Sequence, residues 1–185
     1  MTKLYIPVIL GTAHEGRASE KAAKYLFDQL SKNDAVETEL VDVRDFAFGH
    51  TIPSWEKSSD AEKWREKAQR ADGFIIVTPE YNHGYPGELK ILLDTAYDQY
   101  VKKPVLLCGV SAGGFGGVRV VQSLLPIVHE LGLVATQETL NFPKINDAFD
   151  ESGKPTDPKM DERVTEAFDE LLWFTNALKV ARTNT

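Results

Sequence analysis

Short apolar stretches alternate with longer amphipathic ones along most of this chain. Apolar runs, or runs of alternating apolar and polar residues, predict strands over residues 4–10, 37–43, 73–78, 104–110 and 133–139. Stretches in which apolar residues recur every three or four positions predict helices over residues 19–30, 56–71, 86–97, 118–131 and 161–182. This alternation favours a parallel sheet with helices on both of its faces.

Five such strands suit the flavodoxin-like order 2-1-3-4-5, so the expected fold class is α/β, a three-layer sandwich around a five-stranded parallel sheet. Pro7 conflicts with a central strand, where proline removes a ladder hydrogen bond, and a bulge or an unpaired N–H is expected there. Pro126 is expected to bend its helix. Residues 147–159 are polar and predict a surface loop, and the 185 residues suit one domain over 1–185.

Composition narrows the classes of function. The formal net charge of −7 argues against a general nucleic-acid surface, although basic residues can still cluster at a phosphate. No apolar run approaches the roughly 20 residues that span a bilayer, and the first residues do not resemble a signal peptide. Cys108 is the only cysteine, which rules out an internal disulfide. We expect a cytoplasmic protein without nucleic-acid or membrane partners.

The most informative stretch is the turn at residues 79–90, between a buried strand and a helix. Open parallel sheets bind ligands at such turns. Asn82 and Gly84 suit backbone that must twist or approach a ligand closely. The turn carries few charges, which favours a flat and mostly uncharged part of a ligand.

This stretch resembles the signature of the NADPH-dependent FMN reductases, a flavodoxin-like family that includes quinone, chromate and azo-dye reductases. The family pattern is Pro-Glu-Tyr-Asn, three residues, Pro-Gly-x-Leu-Lys-Asn and an acidic residue. This chain matches it at Pro79, Glu80, Tyr81, Asn82, Pro86, Gly87, Leu89, Lys90 and Asp94, and departs from it at Ile91. The resemblance extends over about residues 4–181. It implies bound FMN, NADPH or NADH as electron donor, and a quinone, azo compound, oxidised metal or free flavin as acceptor.

The first candidate loop, residues 11–19, joins the first strand to the first helix. A helix N-terminus attracts phosphate, Thr12 and Ser19 add hydroxyl groups, and Arg17 adds a forked positive charge. The Walker and dinucleotide glycine patterns are absent. The family resemblance implies that Gly11, Thr12, Arg17 and Ser19 hold the FMN phosphate, with His14 as a weaker and pH-dependent contact. The alternative is an ordinary surface loop before a helix capped by Ser19.

For the second loop the resemblance places Pro79, Glu80, Tyr81 and Asn82 along the flavin ring, with backbone groups bonding its polar edge. His83 is a further candidate there, although loop histidines are usually only solvated. The alternative is a strand–helix turn in which Tyr81 and Tyr85 simply pack.

The third loop, residues 111–117, contains four glycines, which are costly to order unless backbone must approach a ligand. The family has a similar Ser-x-Gly-x-x-Gly-Gly-x-Arg segment, with Arg119 at its end. The resemblance implies that the loop contacts the flavin near its pyrimidine edge, through Ser111, Ala112, Gly113, Gly114 and Gly116. The alternative is a flexible turn. All three loops follow the carboxyl ends of neighbouring strands, so they are expected to converge on one crevice.

Other sites and functions are weaker alternatives. The four histidines show no metal-ligand spacing, and Cys108 suits the core better than a reactive site. Residues 109–113 fit the G-x-S-x-G pattern of a hydrolase, whose only later histidine would be His129. We therefore expect no metal and assign no catalytic side chain. An electron carrier without its own NAD(P)H activity, or a fold kept for protein interaction, stays open.

The resemblance also implies a homodimer or homotetramer that completes the flavin site. Trp55, Trp64 and the segment from Tyr97 to Tyr100 are candidates for its interface, although core packing explains these aromatic residues equally well.

Overall fold

A computed structural model describes residues 3–46 and 49–184 of the chain. The predicted domain over residues 1–185 thus includes five positions, 1, 2, 47, 48 and 185, that lie outside the described residues. The strands are β1 Leu4–Tyr5, β2 Val8–Leu10, β3 Val36–Glu37, β4 Leu40–Asp42, β5 Phe74–Pro79, β6 Pro104–Val110, β7 Val134–Ala135 and β8 Leu140–Phe142. The helices are α1 Ser19–Leu30, α2 Ser59–Arg70, α3 Gly87–Asp94, α4 Val118–Glu130 and α5 Met160–Thr183, with a 3₁₀ turn at Val43–Phe46.

The strands form a parallel sheet between two helical layers, as predicted. The main sheet has the order β4-β2-β5-β6-β7, with β8 also paired to β6, and β1 pairs with β3 beside it. Strand number and order therefore differ from the predicted five strands in the order 2-1-3-4-5. The difference arises because the first and second predicted strands are each interrupted and contribute two short segments, and because a further strand, β8, follows the end of the last predicted strand.

Pro7 divides the first predicted strand. The N–H groups of Ile6 and Val8 still donate to the β3–β4 segment, at 3.0 and 2.9 Å, so that side of the ladder is continuous. Pro7 faces β5 instead, where its carbonyl accepts from Ile75 N–H at 3.1 Å but where it has no N–H to donate. The expected bulge or unpaired N–H is therefore not found at Pro7: the register continues unshifted from Tyr5–Glu37 to Val8–Leu40, and the interruption is a missing donor on the β5 side.

The last predicted strand ends early because of polar contacts that no local sequence pattern indicates. Thr136 Oγ1 donates to the carbonyl of Glu138 at 2.9 Å. The N–H groups of Gln137 and Glu138 donate to the carboxylate of Glu170 in α5, at 3.0 and 2.8 Å. Thr136 N–H still donates to the Val105 carbonyl of β6 at 3.0 Å, but the chain then leaves the sheet over residues 137–139, and β7 and β8 pair with opposite ends of β6.

Helix α2 begins three residues later than predicted, because Ser58 has extended backbone with φ −148°. Trp55 precedes the helix and is 85% exposed, so core packing does not explain this residue. Arg65 of α2 instead holds the preceding loop, donating to the carbonyls of Glu56 and Pro53 at 2.8 and 3.0 Å.

Alternate residues of the buried strands pack on opposite faces of the sheet. In β5, Ile75 and Val77 face α1 and α5, whereas Phe74 and Ile76 face α2, α3 and α4. Cys108 of β6 is fully buried on the α1–α5 side, where burial raises the pKa of its thiol. The two helical layers leave the carboxyl edge of the sheet to the loops.

Candidate functional site

A cavity of about 300 Å³ opens at the carboxyl edge of the sheet, near the lower end of the range for small-molecule sites. The three predicted loops converge on it. The predicted residues in its lining are His14, Arg17, Ser19, Pro79, Glu80, Tyr81, Ser111 and Ala112. The predicted residues outside its lining are Gly11, Thr12, Asn82, His83, Gly113, Gly114 and Gly116.

Ser19 lies at the start of α1 with its hydroxyl facing no protein partner. The residue is 2% exposed, and among the described residues its Oγ finds no hydrogen bond. Ser19 is also not the N-cap, as the alternative reading supposed: the cap is Ala18, which supplies no side-chain hydrogen bond. A buried hydroxyl and an uncapped helix N-terminus at one cavity wall are suited to an anionic group.

Arg17 is buried and already paired. Its Nη1 donates to Asp42 Oδ1 at 2.8 Å and to the carbonyl of Thr12, and its Nη2 pairs with Asp42 Oδ2. Burial would raise the pKa of Asp42, but hydrogen bonds from Arg17 and Arg44 hold it well below its usual range. Both Nη groups are thus paired, so the guanidinium orders the first loop rather than presenting its full fork to a ligand. Its buried Nε has no hydrogen-bond partner among the described residues and lies 3.5 Å from Glu20 Oε2.

Thr12 joins the first two loops without lining the cavity. It is fully buried, and its Oγ1 lies 3.3 Å from the hydroxyl of Tyr81. The same Oγ1 accepts from the N–H of His14 at 3.3 Å. These contacts set the positions of the exposed His14 ring and of Tyr81, which both line the cavity.

The second loop turns back on itself directly after β5. The N–H and C=O groups of Tyr81 and Gly84 exchange two hydrogen bonds of 2.9 Å. Asn82 and His83 lie between them at φ +51° and +66°, the left-handed region that suits such a tight turn. Their side chains are exposed at the tip of the turn, whereas Pro79, Glu80 and Tyr81 form the cavity wall.

The glycines of the third loop serve two different purposes. A methyl group on Gly117 would lie 2.5 Å from Val110 N, and one on Gly116 would lie 2.9 Å from Pro143 N, so both are required by backbone packing. Gly113 and Gly114 have no neighbouring atom within 4 Å of such a group. The expectation that all these glycines face a ligand therefore needs correction at Gly116, whose carbonyl accepts from the Asn141 side chain.

A fourth segment, which carries no recognisable motif, completes the cavity. Ile145 and Asn146 follow β8 and line the wall beside Ser111 and Ala112. Ile145 N–H donates to the Ser111 carbonyl at 3.1 Å, which fixes the segment against the third loop. The prediction missed it because the last strand was expected to end at residue 139.

Other candidate sites lack comparable chemistry. A groove of about 500 Å³ between α1 and α5, lined by Lys32 and Phe168 among others, lies away from the carboxyl edge of the sheet. The hydroxyl of Ser111 donates to the Gly113 carbonyl at 3.0 Å, and His129 lies in the last turn of α4, so neither supports a hydrolase. Over residues 3–46 and 49–184, no group of three or more His, Cys, Asp or Glu could hold a metal ion. No helix of this part of the chain is long and apolar enough to cross a membrane.

Comparison with known proteins adds to this geometry. Residues 4–147 match the family of NADPH-dependent FMN reductases. The chain is 33% identical to the NAD(P)H-dependent FMN reductase C4B3.06c of Schizosaccharomyces pombe, covering 75% of this chain and 74% of that protein. It is 35% identical to the FMN-dependent NADPH-azoreductase of Staphylococcus haemolyticus, covering 57% and 60%.

The fold also has solved counterparts. The flavoenzyme FerB of Paracoccus denitrificans, an NAD(P)H:(acceptor) oxidoreductase, superposes with a TM-score of 0.76 at 19% identity. The superposition covers 94% of this chain and 98% of that one. This likeness is one of fold, and it agrees with a flavodoxin-like parallel sheet between helices.

Proposed function

This chain belongs to the NADPH-dependent FMN reductase family, an oxidoreductase family whose cofactors are FMN and NAD(P)H, and from that premise we propose which acceptor and residues it uses. It passes electrons from NAD(P)H through FMN to a small planar acceptor, such as a quinone, an azo compound or a free flavin, or to an oxidised metal. The start of α1 would hold the FMN phosphate, and the second and third loops would hold the flavin ring.

The observation that carries this assignment is the buried, unpartnered hydroxyl of Ser19 at the N-terminus of α1. A buried polar atom without a partner is unfavourable in the protein alone, and a phosphate oxygen would satisfy it. His14 shares the cavity wall and can add a donor. The residues present therefore fit a phosphate-bearing cofactor.

The flavin supplies the redox chemistry, taking a hydride from NAD(P)H and giving two electrons to the acceptor. The chain positions the reactants and excludes water. Pro79, Glu80 and Tyr81 provide the wall of the ring site, and the Tyr81 ring is held by its hydroxyl contact with Thr12. The open Gly113 lets the third loop approach the ring closely. No side chain of the site is assigned a proton-transfer role.

The acceptor class is supported by an apolar rim near the cavity. Tyr81 of the second loop, Phe115 of the third loop and Val118 at the start of α4 are exposed by 42, 67 and 43%. Exposed aromatic residues beside a cavity are suited to stacking with planar ligands.

The first test is anaerobic reduction. The protein is loaded with FMN, oxygen is removed, NADPH or NADH is added, and the visible flavin absorption is followed. Rapid bleaching, followed by reoxidation on adding a quinone or an azo dye, is the expected result. Bound flavin that neither nucleotide bleaches would indicate an electron carrier instead, and a protein that takes up no FMN would sink the assignment.

A residue-level test uses Ser19→Ala. Because its hydroxyl has no protein partner, the change should leave the free energy of unfolding within about 0.5 kcal/mol of wild type. It should weaken FMN binding about tenfold, the loss of one hydrogen bond to a charged group. Riboflavin, which has no phosphate, serves as the control ligand, and its affinity should not change. Equal losses for both flavins would place the phosphate elsewhere.

Assembly and location complete the proposal. We place one domain over residues 1–185 in the cytoplasm, as a homodimer or homotetramer. Trp55 and Tyr97 are exposed and line a common cavity of about 290 Å³, which favours them as interface residues. Trp64 and Tyr100 are fully buried and share a 2.7 Å hydrogen bond, so they belong to the core. Sedimentation of wild type and Trp55→Ser tests the interface.

A further inference from the structure

The backbone and the carboxylate of Glu80 make contacts with different parts of the protein. The residue lies in the cavity wall, and its N–H donates to the Val110 carbonyl at 2.9 Å. Its carboxylate turns towards α4, where Oε2 accepts from the N–H groups of Arg119 and Val120 at 3.1 and 3.4 Å. The side chain is only 11% exposed.

Helix α4 has no cap of its own. Its N-cap residue is Gly117, which carries no side chain to accept a hydrogen bond, and its first turn contains no acidic residue. An uncapped helix leaves N–H groups without partners. Glu80 supplies the missing acceptor from a different loop, 39 residues away in sequence from Arg119.

The same carboxylate compensates positive charge beside the cavity. Oε1 lies 3.5 Å from Nη1 of Arg119, whose guanidinium also lies 4.9 Å from the centre of the Phe115 ring. The N-terminus of α4 adds its own partial positive charge. Without Glu80, both positive charges would lose the carboxylate that compensates them.

We infer that Glu80 is a positioning residue that ties the second loop to the start of α4, directly after the third loop, and sets the electrostatic potential at the flavin. The inference rests on the proposed function for its electrostatic part alone, since the capping contacts belong to the protein without cofactor. Reduction adds negative charge to the flavin. Uncompensated positive charge at Arg119 and α4 would favour that charge and raise the midpoint potential.

The first experiment measures amide hydrogen exchange in the cofactor-free protein. Glu80→Ala removes both acceptor and charge, and the amides of Arg119 and Val120 should exchange at least tenfold faster. Glu80→Gln keeps an acceptor oxygen and should show a smaller increase. Glu130→Gln, an exposed charge at the far end of α4, is the control and should change nothing at these amides. Unchanged exchange in Glu80→Ala would overturn the capping role.

The second experiment measures the flavin midpoint potential of the loaded protein. Glu80→Gln should favour reduced over oxidised FMN by up to tenfold in relative affinity, which is about 30 mV for a two-electron couple. The double variant Glu80→Gln/Arg119→Gln removes both charges and should return the potential towards wild type, a reversal that a purely structural role would not produce. An unchanged or lowered potential in Glu80→Gln would refute the electrostatic role. A protein that binds no FMN would defeat the proposed function together with that role, while the exchange result would still decide the capping.

Discussion

Replacing Gly117 by alanine tests whether the glycines of the third loop are required by the fold or by ligand binding. Its φ is +80°, and an added methyl group would lie 2.5 Å from Val110 N and 2.7 Å from the carbonyl carbon of Gly109. The left-handed conformation costs an alanine about 1–2 kcal/mol, and crowding of this kind typically costs about 1–3 kcal/mol. Gly117→Ala should therefore lose about 2–5 kcal/mol of unfolding free energy.

Urea unfolding of the cofactor-free protein, followed by circular dichroism, measures this loss directly. At this chain length a loss of that size should lower the melting temperature by about 10 °C. Gly113→Ala is the matched control from the same loop, because no atom lies within 4 Å of its added methyl group. It should unfold within about 0.5 kcal/mol of wild type and yet weaken FMN binding. A Gly117→Ala protein within 1 kcal/mol of wild type, or an equal loss in Gly113→Ala, would refute the reasoning.

Three further predictions concern buried charges. Burial would raise the folded-state pKa of Asp42, but hydrogen bonds, chiefly from Arg17, lower it. The pair therefore stabilises the fold above the unfolded pKa, and this contribution is lost as pH falls below about 4. Asp42→Asn should cost about 2 kcal/mol of unfolding free energy at pH 7 and flatten the acid limb of a stability–pH curve. Burial, with a smaller effect of Arg182, lowers the pKa of Lys103 to about 8. Between about pH 8 and 10.5 the unfolded chain binds one more proton than the folded chain, so stability rises with pH. The stability difference between Lys103→Met and wild type should shift by up to about 3 kcal/mol in favour of wild type across that window, and a constant difference would contradict this prediction. Arg65→Met removes three hydrogen bonds to carbonyl groups and should cost about 3 kcal/mol in urea unfolding; a loss below 1 kcal/mol would count against its anchoring role.

Local pattern predicted those elements whose limits are set by their own residues. Helix α1 and strand β6 begin and end at the residues that the apolar pattern predicted. The failures share a different cause. The break in the last strand depends on Glu170, more than 30 residues away, whose carboxylate takes the backbone N–H groups that a strand would have used. Such a contact has no signature in the strand itself.

The location of the candidate site was predictable from the sequence, whereas the roles of its individual residues were not. Topology was sufficient to bring the three loops to one edge of the sheet, because parallel strands end there together. The role of each loop residue could not be predicted, because a glycine that backbone packing requires and a glycine in open space look alike in sequence. Gly116 is of the first kind and Gly113 is of the second. Ile145 and Asn146 were missed because their position follows from the interrupted strand before them.

The arrangement of charges explains what kind of binding this cavity offers. Arg17 in its lining is neutralised by Asp42, and Glu80 is neutralised by Arg119. Two opposite ion pairs therefore leave little net side-chain charge from these four residues to attract a phosphate. What is left at the start of α1 is the partial positive charge of the helix, together with the Ser19 hydroxyl and Arg17 Nε, which are buried and have no hydrogen-bond partner among the described residues. Selectivity for a phosphate-bearing flavin would then depend on directional hydrogen bonds in a fixed geometry, and the ion pairs are the elements that keep that geometry fixed.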